Sequence, residues 1–238
     1  MVYHMKGRTM KLEKVFTETL RKRVYDQLKR KIITAEILPG ELLSFRDLAR
    51  DCGVSIIPVR EALWQLETEK IVVIESSKSI HVNKLTKEEM EEALRIRVLL
   101  ESLAAERACE TRPESAPKKV KELLDDMQKS LGEPKKYMEK NGQFHLAIYS
   151  YANSPMLLQI INMLWARVGP YLSILAQHGA NFSGAMKCHR GMYEAFVDRN
   201  TVKMRDFLHK DLEEAANFII PYLEKSNTIN DNQAWKPG

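Results

Sequence analysis

The 238-residue chain carries 37 Lys and Arg against 32 Asp and Glu, with 44% hydrophobic and 29% charged residues, a balance usual for a soluble globular protein. No apolar run approaches bilayer length, and the basic start MVYHMKGRTMKLEK lacks an apolar signal core, so neither membrane insertion nor export is expected. Cys52, Cys109 and Cys188 are few and far apart, which suits reduced, buried thiols in a cytoplasmic protein better than a disulfide framework.

The charge is uneven. Residues 1–84 hold 16 Lys and Arg against 11 Asp and Glu, whereas residues 85–238 hold 21 of each. A basic end on a neutral body is the footprint of a phosphate-binding module.

In chain order, Val24, Leu28 and Ile32 repeat at helical spacing and predict a helix over 17–35, ended by Leu38-Pro39-Gly40. Ser44 caps a short helix, FRDLARDC, that Gly53 closes. Ser55 caps the next helix, with Val59, Leu63 and Leu66 on its buried face and Pro58 in its first turn, where a missing N–H costs little. IVVI reads as a strand, Ser76–Ser79 as a turn and Ile80–Val82 as a return strand. Together these describe a winged helix-turn-helix. From Thr86 the pattern changes to amphipathic helices over about 86–110, 116–131, 134–152, 154–178, 183–198 and 201–224, with no strand signal. The fold expected is mainly α: a winged domain over 1–84 with 1–13 as a flexible arm, an all-α bundle over 85–224, and a polar tail over 225–238.

A recognition helix presents its N-terminal residues to base edges in the major groove. Arg60 lies one turn beyond Ser55, facing solvent if Val59 and Leu63 face inward, and can reach a guanine edge or a phosphate. Ser55 could offer its hydroxyl to a phosphate or act only as the N-cap. Ile56 and Ile57 at the tip cannot make the bidentate guanine contact but can pack on a thymine methyl.

In the bundle, polar residues fall inside apolar stripes. Asn141 and His145 share a face with Tyr137, Phe144 and Ile148, and His189 lies with Ala185, Met192 and Phe196. Asp211 sits near the centre of the Met204, Leu208, Ala215, Ile219 stripe, while His209 points about 120° away. Each has a plain explanation as a hydrogen-bonded core group, and Asp211 could pair with Arg97. One amide oxygen, two imidazoles and one carboxylate converging in a bundle would also bind a divalent transition metal.

PGELLSFRDLARDCGVSIIPVREALWQLETEKIVVI resembles the DNA-binding domain of GntR-family bacterial transcription regulators, and residues 86–224 resemble the helical FCD effector domain of the FadR/VanR branch. The resemblance implies that Arg46 and Arg60 contact DNA and that Lys78, at the wing tip, lies near it. Departures stand at Ile56 and Ile57, where the family usually has a basic residue and a threonine, and at Ser79, which replaces the wing glycine. It also implies metal ligands at Asn141, His145 and His189, with Asp211 where the last histidine belongs; zinc or nickel is expected. Arg97 and Glu101, in LRIRVLLES, match the first effector helix: Arg97 would hold a small carboxylate metabolite, or pair structurally with Glu101 across one turn. Tyr149 and Tyr193 are expected in the same cavity. The function implied is that of a cytoplasmic, homodimeric regulator, usually a repressor, on pseudo-palindromic operator DNA, with no enzymatic activity. A metal-dependent hydrolase and a protein-binding winged-helix module are the alternatives.

Overall fold

The computed structural model describes residues 20–76, 79–179 and 183–228. Lys78, the expected arm over 1–13 and residues 229–238 lie outside them. Chain order is α1 (Leu20–Ile33), β1 (Leu42–Leu43), α2 (Phe45–Cys52), α3 (Ile56–Thr68), β2 (Val72–Ser76), β3 (Ser79–Val82), then α4 (Lys87–Thr111), α5 (Ala116–Lys129), α6 (Pro134–Ser150), α7 (Pro155–Gln177), α8 (Ser183–Val197) and α9 (Thr201–Thr228).

The N-terminal unit is built by the signals expected of it. Ser44 accepts the Asp47 amide as the N-cap of α2, and Gly53 ends that helix at φ 64, a left-handed value that favours glycine. Ser55 occupies the N-cap of α3 in extended backbone, yet its side chain makes no capping bond. The sheet has a strand that the sequence pattern missed: two-residue β1 pairs antiparallel with β3, giving the order β1-β3-β2. In the wing, Val72 faces Val82 and Ile74 faces Ile80, with an irregularity before Ser76. Val24, Leu28, Ile32, Val59, Leu63, Leu66, Val72 and Ile80 form one core.

That core is not closed by its own residues. Ala166 of α7 belongs to it. Ser173 Oγ donates to the Ile33 carbonyl at 2.7 Å, and Gln177 donates to the Thr34 carbonyl. A methyl on Gly169 would lie 3.0 Å from Ile33 Cγ2, so glycine lets the two helices approach. The link is also pinned, because Leu85 N–H donates to the buried Tyr171 hydroxyl at 2.7 Å. Thr86 and Glu89 then form a reciprocal capping box that starts α4.

Helices α4–α9 enclose a second core that includes Met90, Phe144, Ile148, Ile161, Met192, Phe196, Met204 and Leu208. α7 continues through Pro170. α9 runs to Thr228, four residues into the segment expected to be a polar tail. Ile219, in the expected stripe, and Leu223 within the expected helix are buried, and Lys225 in the last turn suits the negative end of the helix dipole.

Candidate metal centre and nucleic-acid interface

On α3, the inward face is Val59, Ala62, Leu63 and Leu66, all fully buried. The outward face carries Ile57, Arg60 and Trp64, spaced three and seven residues apart. The two isoleucines at the tip separate: Ile56 is half-buried against the winged core, whereas Ile57 is 65% exposed. Trp64, 51% exposed on the same side, was overlooked in the sequence. Its signal was there, an aromatic residue off the buried stripe and two turns beyond Ile57. Arg46 and Arg60 are both exposed, and neither pairs with a carboxylate among the described residues. Arg50, by contrast, is tied to Asp47 at 2.8 Å and to Asp51. Arg60 rests its guanidinium 5.4 Å from the Phe45 ring, so α2 steadies it without neutralising it.

Inside the bundle, α6, α8 and α9 bring three predicted residues together. His145 Nε2 lies 3.1 Å from His189 Nε2 and 3.4 Å from an Asp211 oxygen, and His189 Nε2 lies 3.0 Å from the other. Donors held about 2.1 Å from one ion at tetrahedral or octahedral angles stand roughly 3.0–3.4 Å apart. The imidazole–imidazole and His189–Asp211 separations match such an edge; Asp211 meets the two imidazoles through different oxygens, and one donor atom from each of the three residues lies within 4.8 Å of the others.

The hydrogen bonds behind it fix which nitrogen is free. Tyr149 donates its hydroxyl to Glu101 at 2.7 Å, so its oxygen accepts from His145 Nδ1–H at 3.0 Å. His145 Nε2 is then left with its lone pair toward His189 and Asp211. Burial pushes the His145 pKa below its ordinary value against the opposing pull of Asp211. Burial also works to raise the Asp211 pKa, but the two imidazoles outweigh it and hold the carboxyl well below the usual range. A neutral His145 imidazole beside an ionised Asp211 is a pairing that suits a metal ion.

A cavity of about 30 Å³ opens beside this cluster, lined by Arg97, Asn141, Trp165, His189, Asp211 and Glu214 among others. It has room for an ion or a water or two. Asn141 Oδ1, Arg97 Nη1 and Trp165 Nε1 are buried without a hydrogen-bond partner among the described residues. Arg97 also donates through Nε to Glu101 at 2.6 Å and stacks 4.7 Å from the Trp165 ring. Arg97 thus forms the ion pair with Glu101, and it lines the cavity with Nη1 left without a partner among the described residues. Asp211 pairs with the histidines and not with Arg97, and His209 bonds Ser102 away from the site, as the helical projection required.

The tyrosines are placed differently from expectation. Neither Tyr149 nor Tyr193 lines the cavity. Tyr149 stands behind His145 because its hydroxyl is taken by Glu101, and Tyr193 is half-buried against the helical core. Burial, then Glu101, raises the Tyr149 pKa well above its ordinary value, so it remains a donor.

Comparison with known proteins places these features. Residues 20–82 match the Bacterial regulatory proteins, gntR family, and residues 92–214 match the FCD domain. The chain belongs to the GntR family of bacterial regulatory proteins. It is 33% identical over 154 residues to the HTH-type transcriptional regulator McbR of Escherichia coli, covering 64% of this chain and 70% of McbR. The solved structure of E. coli McbR/YncC superposes with a TM-score of 0.81 over 89% of this chain and all of that one, at 26% identity. The gluconate operon transcriptional repressor of Bacillus subtilis is 25% identical over 208 residues, 83% of this chain and 84% of that protein. This GntR-family chain is accordingly a transcriptional regulator with a winged helix-turn-helix and a helical FCD domain, not an enzyme. Among the described residues no helix is long and apolar enough to cross a membrane.

Proposed function

We propose that the protein is a cytoplasmic, homodimeric repressor whose operator affinity is set by a small carboxylate metabolite bound with a divalent transition metal, zinc or nickel, in the FCD cavity. The observation that carries this reading is the convergence of His145, His189 and Asp211 beside a cavity that also receives the unpartnered Asn141 Oδ1 and Arg97 Nη1. His145, His189 and Asp211 hold the ion, and Asn141, one turn before His145, supplies a fourth donor. The metal's contribution is a fixed positive charge and open positions for an oxygen donor. Arg97 holds the carboxylate through the nitrogen that Glu101 leaves free. One relative is named a repressor of a gluconate operon, which supports both repression and an organic-acid signal.

Helix α7 carries the signal. Its Trp165 ring packs 5.3 Å from His145 and beneath Arg97, while Ala166, Gly169 and Ser173 seat the winged domain. A ligand larger than the cavity must move its walls, and a shift of Trp165 reaches α1 through one rigid helix. Such coupling typically changes DNA affinity by about 1–3 kcal/mol.

The dimer forms through the outer face of α4, where Ile96, Leu99 and Leu103 are exposed between Glu92 and Arg107. Pairing two α4 helices antiparallel about a two-fold axis near Leu99 sets Ile96 against Leu103 and Glu92 against Arg107. Two winged domains then read a pseudo-palindrome with Arg46, Arg60, Ser55, Ile57 and, at the wing, Lys78.

Selection of binding sites from random duplexes, with and without zinc and candidate acids, tests this reading. It expects an inverted repeat whose retention falls with ligand; no enriched repeat would sink it. The exposed Ile57 and Trp64 favour a second reading, a protein-binding patch on α3, and for that reading binding to the promoter region would lack the steep salt dependence of phosphate contacts.

A further inference from the structure

Resting on the reading of the FCD cavity as an effector site, we propose that its ligand is a small zwitterion, an amino acid, held by its carboxylate on Arg97 and by its ammonium on Glu214. Glu214 follows Asp211 by one turn of α9 and lines the same cavity. Its carboxylate lies against the backbone of Gly184 in the first turn of α8, so close that a side chain there would collide with it. The residue is half-buried, and its carboxylate makes no hydrogen bond or ion pair among the described residues. A partly desolvated carboxylate with no cation paired to it lacks its partner.

The charge count points the same way. Arg97 is the one cation among the residues lining the cavity, and Glu101 already matches its charge. Asp211 and Glu214 add two negative charges, which a divalent ion would balance. The loaded cavity is then neutral before any ligand enters; an imidazole at position 211 would leave it positive. A dicarboxylate would bring two further negative charges and set one near Glu214, where the low dielectric makes repulsion costly. A zwitterion adds no net charge, gives Arg97 Nη1 an acceptor and gives Glu214 its cation. Arg97 is the deeper group, 2% exposed, and Glu214 the shallower, so the ligand enters carboxylate first.

Calorimetric titration of the zinc-loaded full-length protein tests this, using the twenty standard amino acids, β-alanine and 4-aminobutyrate beside lactate, malate, succinate and gluconate. The expected result is at least one amino acid that binds about tenfold or more tightly than the best of the acids. Glu214→Gln should erase that advantage while leaving affinity for the acids equal or higher. An acid that matches or beats every amino acid on the unmodified protein overturns the zwitterion and leaves the effector site standing. Binding of none overturns the effector site itself. If Glu214→Gln fails to fold by circular dichroism, the ranking on the unmodified protein decides alone.

Discussion

On α3 the side chains proposed to meet a partner stand in solvent, with Ile57 and Trp64 more than half exposed and Arg60 paired with no carboxylate among the described residues. In the FCD domain the opposite holds: Arg97, Glu101, His145 and His189 are almost wholly withdrawn from water. The reading face needs no compensation for what it displays, because water satisfies it until DNA arrives. The buried site must satisfy itself, and it does so in large part through the chain Arg97–Glu101–Tyr149–His145, which leaves Arg97 Nη1, Asn141 Oδ1 and Trp165 Nε1 on cavity-lining residues without a partner among the described residues. A buried site of this kind is found by its unsatisfied atoms, an exposed one by its unpaired charges.

The sharpest way to break that contrast is to remove one partner from the buried pair. Arg97→Ala leaves the Glu101 carboxylate buried and without its cation, and should cost about 3–5 kcal/mol of stability. Denaturant unfolding measures it, and Arg46→Ala on the exposed surface is the control, with a change within about 0.5 kcal/mol. Equal effects would mean that burial is not what separates the two regions.

Next in size is the metal face. Asp211→Asn keeps the shape but removes the charge that the two imidazoles lean on, and should weaken zinc binding about 100-fold in a competition titration with a chelator. The same protein should then lose the thermal stabilisation that zinc confers. Unchanged zinc affinity would return the cluster to a purely structural role.

Much of this was legible in the chain. Caps, glycines and the apolar stripes gave α1–α3, the wing and the helical bundle, because each depends on local spacing. The projection that turned Asp211 inward and His209 outward was correct for the same reason. What escaped depended on contacts between distant segments. β1 is two residues long and exists because β3 runs beside it. Ala166 and Gly169 looked like ordinary helix residues until α1 was found against them. Tyr149 was expected at the cavity wall, but no periodicity reveals that Glu101 draws its hydroxyl behind His145. Glu214 lies on the shoulder of the α9 stripe and became visible only through the cavity it lines.

A smaller effect tests the seat of the winged domain. Gly169→Val would press a branched side chain onto Ile33 and should cost about 1–3 kcal/mol of stability. Ligand should then change operator affinity less than in the unmodified protein, measured by fluorescence anisotropy. Undiminished coupling would remove α7 from the path between the two regions.

The smallest expected effect, that of Ile57, lies at the tip of α3, and it separates contact from packing. Arg60→Ala should cost roughly 1–3 kcal/mol of specific binding, whatever the identity of the base it meets. Ile57 is the exposed isoleucine, so its contribution is a methyl contact: Ile57→Ala should cost about 1 kcal/mol, and only on half-sites that carry thymine opposite it. Ile56 is half-buried against the winged core, so Ile56→Ala should lower stability and leave base preference alone. Site selection with each variant distinguishes the two neighbours. If thymine preference follows Ile56 and ignores Ile57, the outward face assigned to α3 is rotated by one residue, and Trp64 with it.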